Sequence, residues 1–177
     1  MRSSDDTRRF EQLFLPHLSA AHNLARWLTR NDSAAQDIVQ ESCLRAFKSL
    51  HQFAGGNARA WLLTIVRNQS YTWLKNSGSE RYVDIDDEEM LSEKDKAALS
   101  HTDTPEVLSN RMQTRELLLQ ALETLPTLFR EVIILKELEE MSYKEIAAVT
   151  GVPIGTVMSR LARGRSLLKK ELLAIYA

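Results

Sequence analysis

The stretch SYKEIAAVTGVPIGTVMSRLARGR, residues 142–165, decides the fold. Ser142 followed three residues later by Glu145 has the spacing of a capping box, in which hydroxyl and carboxylate each satisfy a free N–H at a helix start. A short helix carrying Ile146, Ala147 and Val149 therefore begins there. Thr150-Gly-Val-Pro153 reads as a tight turn, and beyond it Val157, Leu161, Gly164 and Leu168 recur on one side of a second helix. Two short helices joined by a glycine-containing turn, the second one basic, make a helix-turn-helix pattern.

On that second helix Thr156, Ser159, Arg160 and Arg163 fall together, roughly a third of a turn from the apolar stripe at about 100° per residue. One face can dock while the other offers guanidinium forks and hydroxyls to base edges and phosphates. The plainer reading of the same residues is a solvated basic helix end, since cations near a helix C-terminus are favourable anyway.

Upstream, the pattern is helical almost throughout. Leu13, Phe14, Leu18, Ala21, Leu24, Ala25 and Leu28 line one helix face that Pro16 should start late or kink. Ser33 with Gln36 has capping spacing, and Val39, Cys43, Ala46, Phe47 and Leu50 are the expected buried stripe of the next helix. A loop, Phe53-Ala-Gly-Gly-Asn57, leads to a third helix capped by Asn57 and carrying Trp61, Leu62, Ile65, Val66 and Trp73, with core packing expected for Trp61. Thr104-Pro105-Glu106 opens a later helix with Leu108, Met112, Leu118, Leu119, Leu122 and Leu125. Leu125-Pro126 then starts another, with Phe129, Val132, Ile133 and Leu138.

Between these halves the periodicity fails. The net charge of -1 is an average over unlike segments: residues 1–76 hold 10 basic and 6 acidic residues, 77–110 hold 3 and 10, and 111–177 hold 10 and 8. Asp84-Ile-Asp-Asp-Glu-Glu89 has too much like charge and too little apolar surface to bury itself. The expected architecture is therefore all-α, with two small helical domains at 1–76 and 105–177 and an acidic flexible linker at 77–104. The C-terminal domain holds the helix-turn-helix.

Composition narrows the function. With 44% hydrophobic and 27% charged residues the chain is an ordinary globular protein. Cys43, the single cysteine, allows no internal disulfide, sits on an apolar stripe and fits a reducing cytoplasm. No signal-like or membrane-length apolar run is present. His17, His22, His51 and His101 are scattered, without a second ligand or carboxylate at useful spacing, and no phosphate-cradling glycine loop follows a strand. No enzyme activity, metal, cofactor or small-molecule substrate is expected.

The quoted stretch from Tyr143 to Arg165 resembles the C-terminal promoter-reading module of the extracytoplasmic-function sigma factors, a group within the sigma-70 family. The likeness extends through Leu125-Pro-Thr-Leu-Phe-Arg-Glu-Val-Ile-Ile-Leu135. A second motif agrees: Ala35-Gln-Asp-Ile-Val-Gln-Glu-Ser-Cys-Leu-Arg-Ala-Phe47 resembles that family's helix for docking on the polymerase clamp. Phe53 through Trp61-Leu-Leu-Thr-Ile-Val-Arg-Asn68 resembles its minus-ten module.

The resemblance implies partners and roles. Asp37, Gln40, Glu41, Arg45 and Lys48 form a polar helix face, and by resemblance their partner is the coiled-coil clamp of the polymerase beta-prime subunit. The plainer reading is a solvated face held by local pairs such as Glu41 with Arg45. Core RNA polymerase would also be met at its beta flap, and an anti-sigma factor is the expected regulator. In the minus-ten module the Gly55-Gly56-Asn57 loop would let backbone approach a flipped base. Asn57 would supply edge contacts, Arg59, Arg67 and Lys75 would hold phosphates, and Asn68 and Tyr71 would face the strand. Thr156, Ser159, Arg160 and Arg163 would read the minus-thirty-five element.

Two departures stand out. The segment Lys75-Asn-Ser-Gly-Ser-Glu80 lacks a dense basic run often found in the family, and Met158 stands where Lys or Arg is common, so one direct contact would be lost or replaced by an apolar contact with a thymine methyl. Rival readings are a stand-alone helix-turn-helix regulator with a sensing N-terminal domain, which would bind duplex DNA tightly as a dimer, and a protein-interaction adaptor.

Overall fold

The computed structural model describes residues 3–78 and 111–176. Of the expected linker only Ser77 and Gly78 fall within this range; its remainder and the helix start at Thr104-Pro105 lie outside the described residues. Among the described residues every regular element is helical.

Helix α1, Ser4–Phe14, begins where the Ser3 hydroxyl accepts from the Asp5 amide, with Asp5 and Asp6 placed against the positive end of the helix dipole. A single 3-10 turn, Leu15–His17, contains Pro16 and hands over to α2, Leu18–Thr29. The proline has the effect its missing N–H dictates: it divides the apolar stripe into two helices.

Helix α3, Asp32–Lys48, is capped by Asn31, whose side-chain oxygen accepts from the Ala34 amide at 2.9 Å. The expected Ser33 cap is thus displaced by an equally good cap two residues earlier, which brings Asp32 into the first turn. The buried stripe also shifts by about a residue. Ala34, Ala35, Ile38, Ser42 and Ala46 are buried, whereas Val39, Cys43 and Phe47 flank them, partly exposed. Small side chains form the seam along which α3 packs against α2 and the following helix, a pattern that ranking by hydrophobic size overlooks.

Helix α4, Ala58–Asn76, starts at Asn57, as its sequence indicates, with the Asn57 side-chain oxygen accepting from the Ala60 amide at 2.9 Å. Trp61 packs on Phe14 and Phe53 with ring centroids 5.3 and 5.2 Å away, a core role at the edge of the module.

The C-terminal module contains α5, Arg111–Thr124, α6, Thr127–Ile133, α7, Tyr143–Thr150, and α8, Ile154–Tyr176. All three shorter helices pack on α8. The capping box is complete: the Ser142 hydroxyl accepts from the Glu145 amide, and the Glu145 carboxylate accepts from the Ser142 amide at 2.7 Å. Gly151 closes α7 at φ 73°, a left-handed conformation that glycine adopts without strain.

Two further features organise this module. After α6 the chain widens into a π-turn, Ile134–Leu138, before Glu139 and a left-handed Glu140. Gly164 lies where α8 crosses α6: a methyl group there would come within 2.9 Å of Ile133 Cδ1 and 3.3 Å of Phe129 Cβ.

The modules do not stand apart. Helix α2 packs on α6 and α4 packs on α7, and the buried residues form one connected core from Phe14 to Leu161. Arg130, 2% exposed, helps join them, donating to the Leu125 carbonyl at 2.9 Å and to the Leu28 carbonyl across the boundary at 3.4 Å. Arg30 donates to the Glu123 carbonyl at 2.8 Å.

Replacing Gly164 with valine forces a branched side chain into the α6 crossing, where overpacking typically costs about 1–3 kcal/mol. The expected outcome is a melting temperature lowered by roughly 3–10 °C for a chain of this size, read by thermal circular dichroism.

Candidate nucleic-acid interface

The sequence-predicted minus-ten residues all lie on or at the start of α4, but they differ in what they meet. Asn57 uses its oxygen for the helix cap and donates through Nδ2 to Glu145 Oε1 at 2.6 Å. Arg59 donates through Nη1 to the Glu139 carbonyl at 2.9 Å and holds Glu145 Oε1 at 3.6 Å. Two turns further on, Arg67 Nε donates to Glu131 Oε1 at 2.5 Å, while the Tyr71 hydroxyl donates to Glu131 Oε2 at 2.7 Å. The Arg67 guanidinium lies 4.2 Å from the centre of the Tyr71 ring. Asn68 and Lys75 are exposed.

Four of these six residues therefore touch the C-terminal module. Of their partners, Glu145 is marked in the sequence only as a capping-box residue, Glu131 is an acid whose neighbours look ordinary, and Glu139 takes part through its backbone carbonyl, which no sequence pattern marks. The π-turn after α6 supplies one, because it ends with the Glu139 carbonyl facing Arg59.

Electrostatics follow from this packing. The Glu131 side chain is fully buried and that of Arg67 only 17% exposed. Burial opposes the charge on Arg67, but the Glu131 carboxylate and its hydrogen bond outweigh that cost and raise the guanidinium pKa above its ordinary value. Burial, then the nearby Glu131 charge, pushes the Tyr71 phenol well above its ordinary range, so it stays a donor. For Glu145, the hydrogen bond from the Ser142 backbone is the main reason its carboxyl titrates low, helped by the Ser142 and Asn57 side chains and Arg59.

The minus-thirty-five set shares α8. Thr156, Ser159 and Arg163 are partly exposed, with the Ser159 hydroxyl donating to the Gly155 carbonyl at 2.9 Å. Arg160 departs from the outward-facing position expected of it and is only 7% exposed. It lies about 40° around the helix from buried Gly164, and its charge is close enough to influence Tyr71. Met158, by contrast, is exposed.

Asp37, Gln40, Glu41, Arg45 and Lys48 are all exposed on α3. Glu41 and Arg45 form the anticipated local pair at 3.0 Å. Leu44, 51% exposed between them, was not singled out by its sequence context and adds an apolar centre to this charged face. Cys43 is partly buried and its thiol is pushed up by burial, away from thiolate reactivity. Among the described residues no cluster of His, Cys, Asp and Glu has the arrangement of a metal site, and no helix is long and apolar enough to cross a membrane.

Described residues whose regular elements are all helical, with a capped helix-turn-helix in one module, cationic and aromatic groups along one helix of the other and an exposed charged face on α3, fit the class of modular promoter-recognition proteins. Its residues 13–80 match the family model for sigma-70 region 2, and residues 115–168 match that for sigma-70, region 4. The chain belongs to the sigma-70 family, within its extracytoplasmic-function (ECF) RNA polymerase sigma factors.

The ECF RNA polymerase sigma-E factor of Escherichia coli K12 is 34% identical over 137 residues, covering 76% of this chain and 72% of that protein. The ECF sigma factor SigE of Mycolicibacterium smegmatis is 31% identical over 163 residues; the match covers 92% of this chain but 61% of the longer relative. Among solved structures, the sigma factor RpoE of Bartonella quintana in complex with the anti-sigma factor NepR matches with TM-score 0.69 at 29% identity, covering 94% of this chain and 98% of that one. The structure of CnrH in complex with the cytosolic domain of CnrY matches with TM-score 0.65 at 27% identity, covering 95% and 90%.

Two outcomes test the local physics at Ser142 and Glu145. Ser142→Ala removes the cap hydroxyl and is expected to cost about 1 kcal/mol in urea denaturation. Because the folded pKa of Glu145 is depressed below its ordinary value of 4.5, its charge contributes stability that is complete above that value and lost as pH falls through the lower folded value. Glu145→Gln, which keeps the capping geometry, should flatten this acid-side loss in urea midpoints measured from about pH 3 to 6.

Proposed function

We propose that this chain is a dissociable initiation subunit of RNA polymerase that confers promoter choice through two helical modules, at 1–76 and 105–177, joined by the acidic linker at 77–104. The observation that carries this reading is the occurrence of both family regions, in order, on one chain, each bearing its own candidate contact helix. The exposed face of α3, Asp37, Gln40, Glu41, Arg45 and Lys48 around Leu44, meets the coiled-coil clamp of the beta-prime subunit. The C-terminal module is positioned by the beta flap.

In this reading α8 enters the major groove of the minus-thirty-five element. Thr156 and Ser159 contact phosphates or base edges, and Arg160 and Arg163 supply bidentate forks. Helix α4 receives the melted minus-ten strand, with Asn57 and Asn68 at base edges, Tyr71 offering a stacking ring, and Arg59, Arg67 and Lys75 on phosphates. Bond-making belongs to the core enzyme; the chain itself acts in the cytoplasm without cofactor, metal or small-molecule substrate. An anti-sigma protein is its regulator, a reading supported by the similar sigma factor RpoE in complex with the anti-sigma factor NepR.

The decisive experiment is transcription in vitro from a genomic promoter library, with and without core polymerase. Specific transcripts are expected only when chain and core are combined; tight, dimeric duplex binding by the chain alone would instead support a stand-alone regulator. Arg163→Ala should weaken use of promoters at the minus-thirty-five element by about 1–3 kcal/mol without altering core binding. Reversing both Asp37 and Glu41 to lysine should weaken core binding roughly tenfold, as like charges meet across the docking face, while the melting temperature stays near that of the parent. Arg163→Ala that leaves promoter choice unchanged would remove α8 as the reading helix.

A further inference from the structure

We propose that Glu131 and Glu145 act as an internal competitor of promoter DNA, holding the chain in a closed form whose strand-binding residues are occupied by its own C-terminal module. The inference rests on the strand-binding reading of α4 given above and adds a regulation of that same surface.

Three observations carry it. First, the chemistry of the contacts is that of a nucleic-acid strand: carboxylate oxygens of Glu131 and Glu145 accept hydrogen bonds from Arg67, Tyr71 and Asn57, and Glu145 also pairs with the Arg59 guanidinium at 3.6 Å, all side chains assigned to phosphates and bases. Second, the occupation is steric as well as electrostatic. The Glu131 side chain has no exposed surface, so a strand cannot reach it, or the Arg67 and Tyr71 atoms bonded to it, while α6 stays in place. Third, Arg160 of α8, assigned to the minus-thirty-five element, is only 7% exposed and lies close enough to Tyr71 of α4 for its charge to act there.

The contact has the energetics of a latch that can be displaced. Burying Glu131 and Arg67 removes both from water, and their mutual attraction largely offsets that desolvation, so such a pair adds little net stability. When the modules part, both ions regain solvent or are taken by DNA and polymerase. Neutralising the acids shifts the balance, since Arg67 and Arg59 then have only neutral partners in the closed form. Linkage makes the effect reciprocal: a strand that binds only the open form must drive the modules apart.

The test uses the full chain carrying Ser33→Cys and Ser166→Cys, with Cys43→Ser, and a fluorophore pair on the two exposed positions. The probe is a fluorescently labelled pool of random-sequence single-stranded DNA. In the Glu131→Gln, Glu145→Gln double variant the labels should move apart, and the DNA should bind roughly tenfold more tightly as the closed fraction is removed. In the chain with both acids intact, saturating DNA should produce the same separation, which serves as a check independent of any folding defect in the variant. Labels that stay at one distance in both experiments would overturn the latch. Labels that separate in the variant without a gain in DNA binding would overturn the strand-binding reading on which the proposal stands.

Discussion

The Glu131 carboxylate lies between two helical modules and is held from the opposite side by Arg67 and Tyr71. An ion buried there must be fully partnered, since a charge removed from water without compensation costs several kcal/mol. The partners come from α4, so the way α6 and α4 face each other is restricted to arrangements that bring guanidinium, phenol and carboxylate together. Arg130 imposes a similar restriction nearby, because its buried guanidinium is directed at carbonyls of α2 and of the turn before α6. Apolar contacts supply area along the boundary, and these polar groups supply its register.

This arrangement gives the two proposed contact surfaces a shared geometry. The face of α3 that carries Asp37, Glu41 and Leu44 stays exposed, whereas Asn57, Arg59, Arg67 and Tyr71 meet the C-terminal module. In the proposed reading, docking on a protein partner and masking from DNA are therefore compatible in one closed form. The capping box at Ser142 and Glu145 takes part in both local and long-range structure: one carboxylate starts α7 and also reaches Asn57 and Arg59.

Residue-level detail shows how much of this is legible in the amino-acid order. The Ser142 box, the Gly151 turn, the Asn57 cap and the break at Pro16 are local, satisfied within a few residues, and each is found where its chemistry places it. The start of α3 shows the limit of such reasoning: Asn31 and Ser33 are both competent caps, and the choice between them depends on which helical phase packs best. The same holds for the α3 seam, where Ala35, Ser42 and Ala46 are buried in preference to Val39 and Phe47. Small residues gain burial through close helix approach, which hydrophobic periodicity weighs too lightly.

Sequence alone determined the helical character, the division at the acidic stretch, the helix-turn-helix and the family, because these depend on short-range periodicity, capping and motif order. Only the tertiary structure decided that the two modules lie against one another, that Arg160 is covered, and that Glu131, Glu139 and Glu145 face Asn57, Arg59, Arg67 and Tyr71. These pairings join residues about 60 to 90 positions apart, where no local propensity operates and an acid destined for burial looks like any other. Their physical origin is collective: the packing of whole helices sets which side chains meet, and burial then converts ordinary charges into specific contacts.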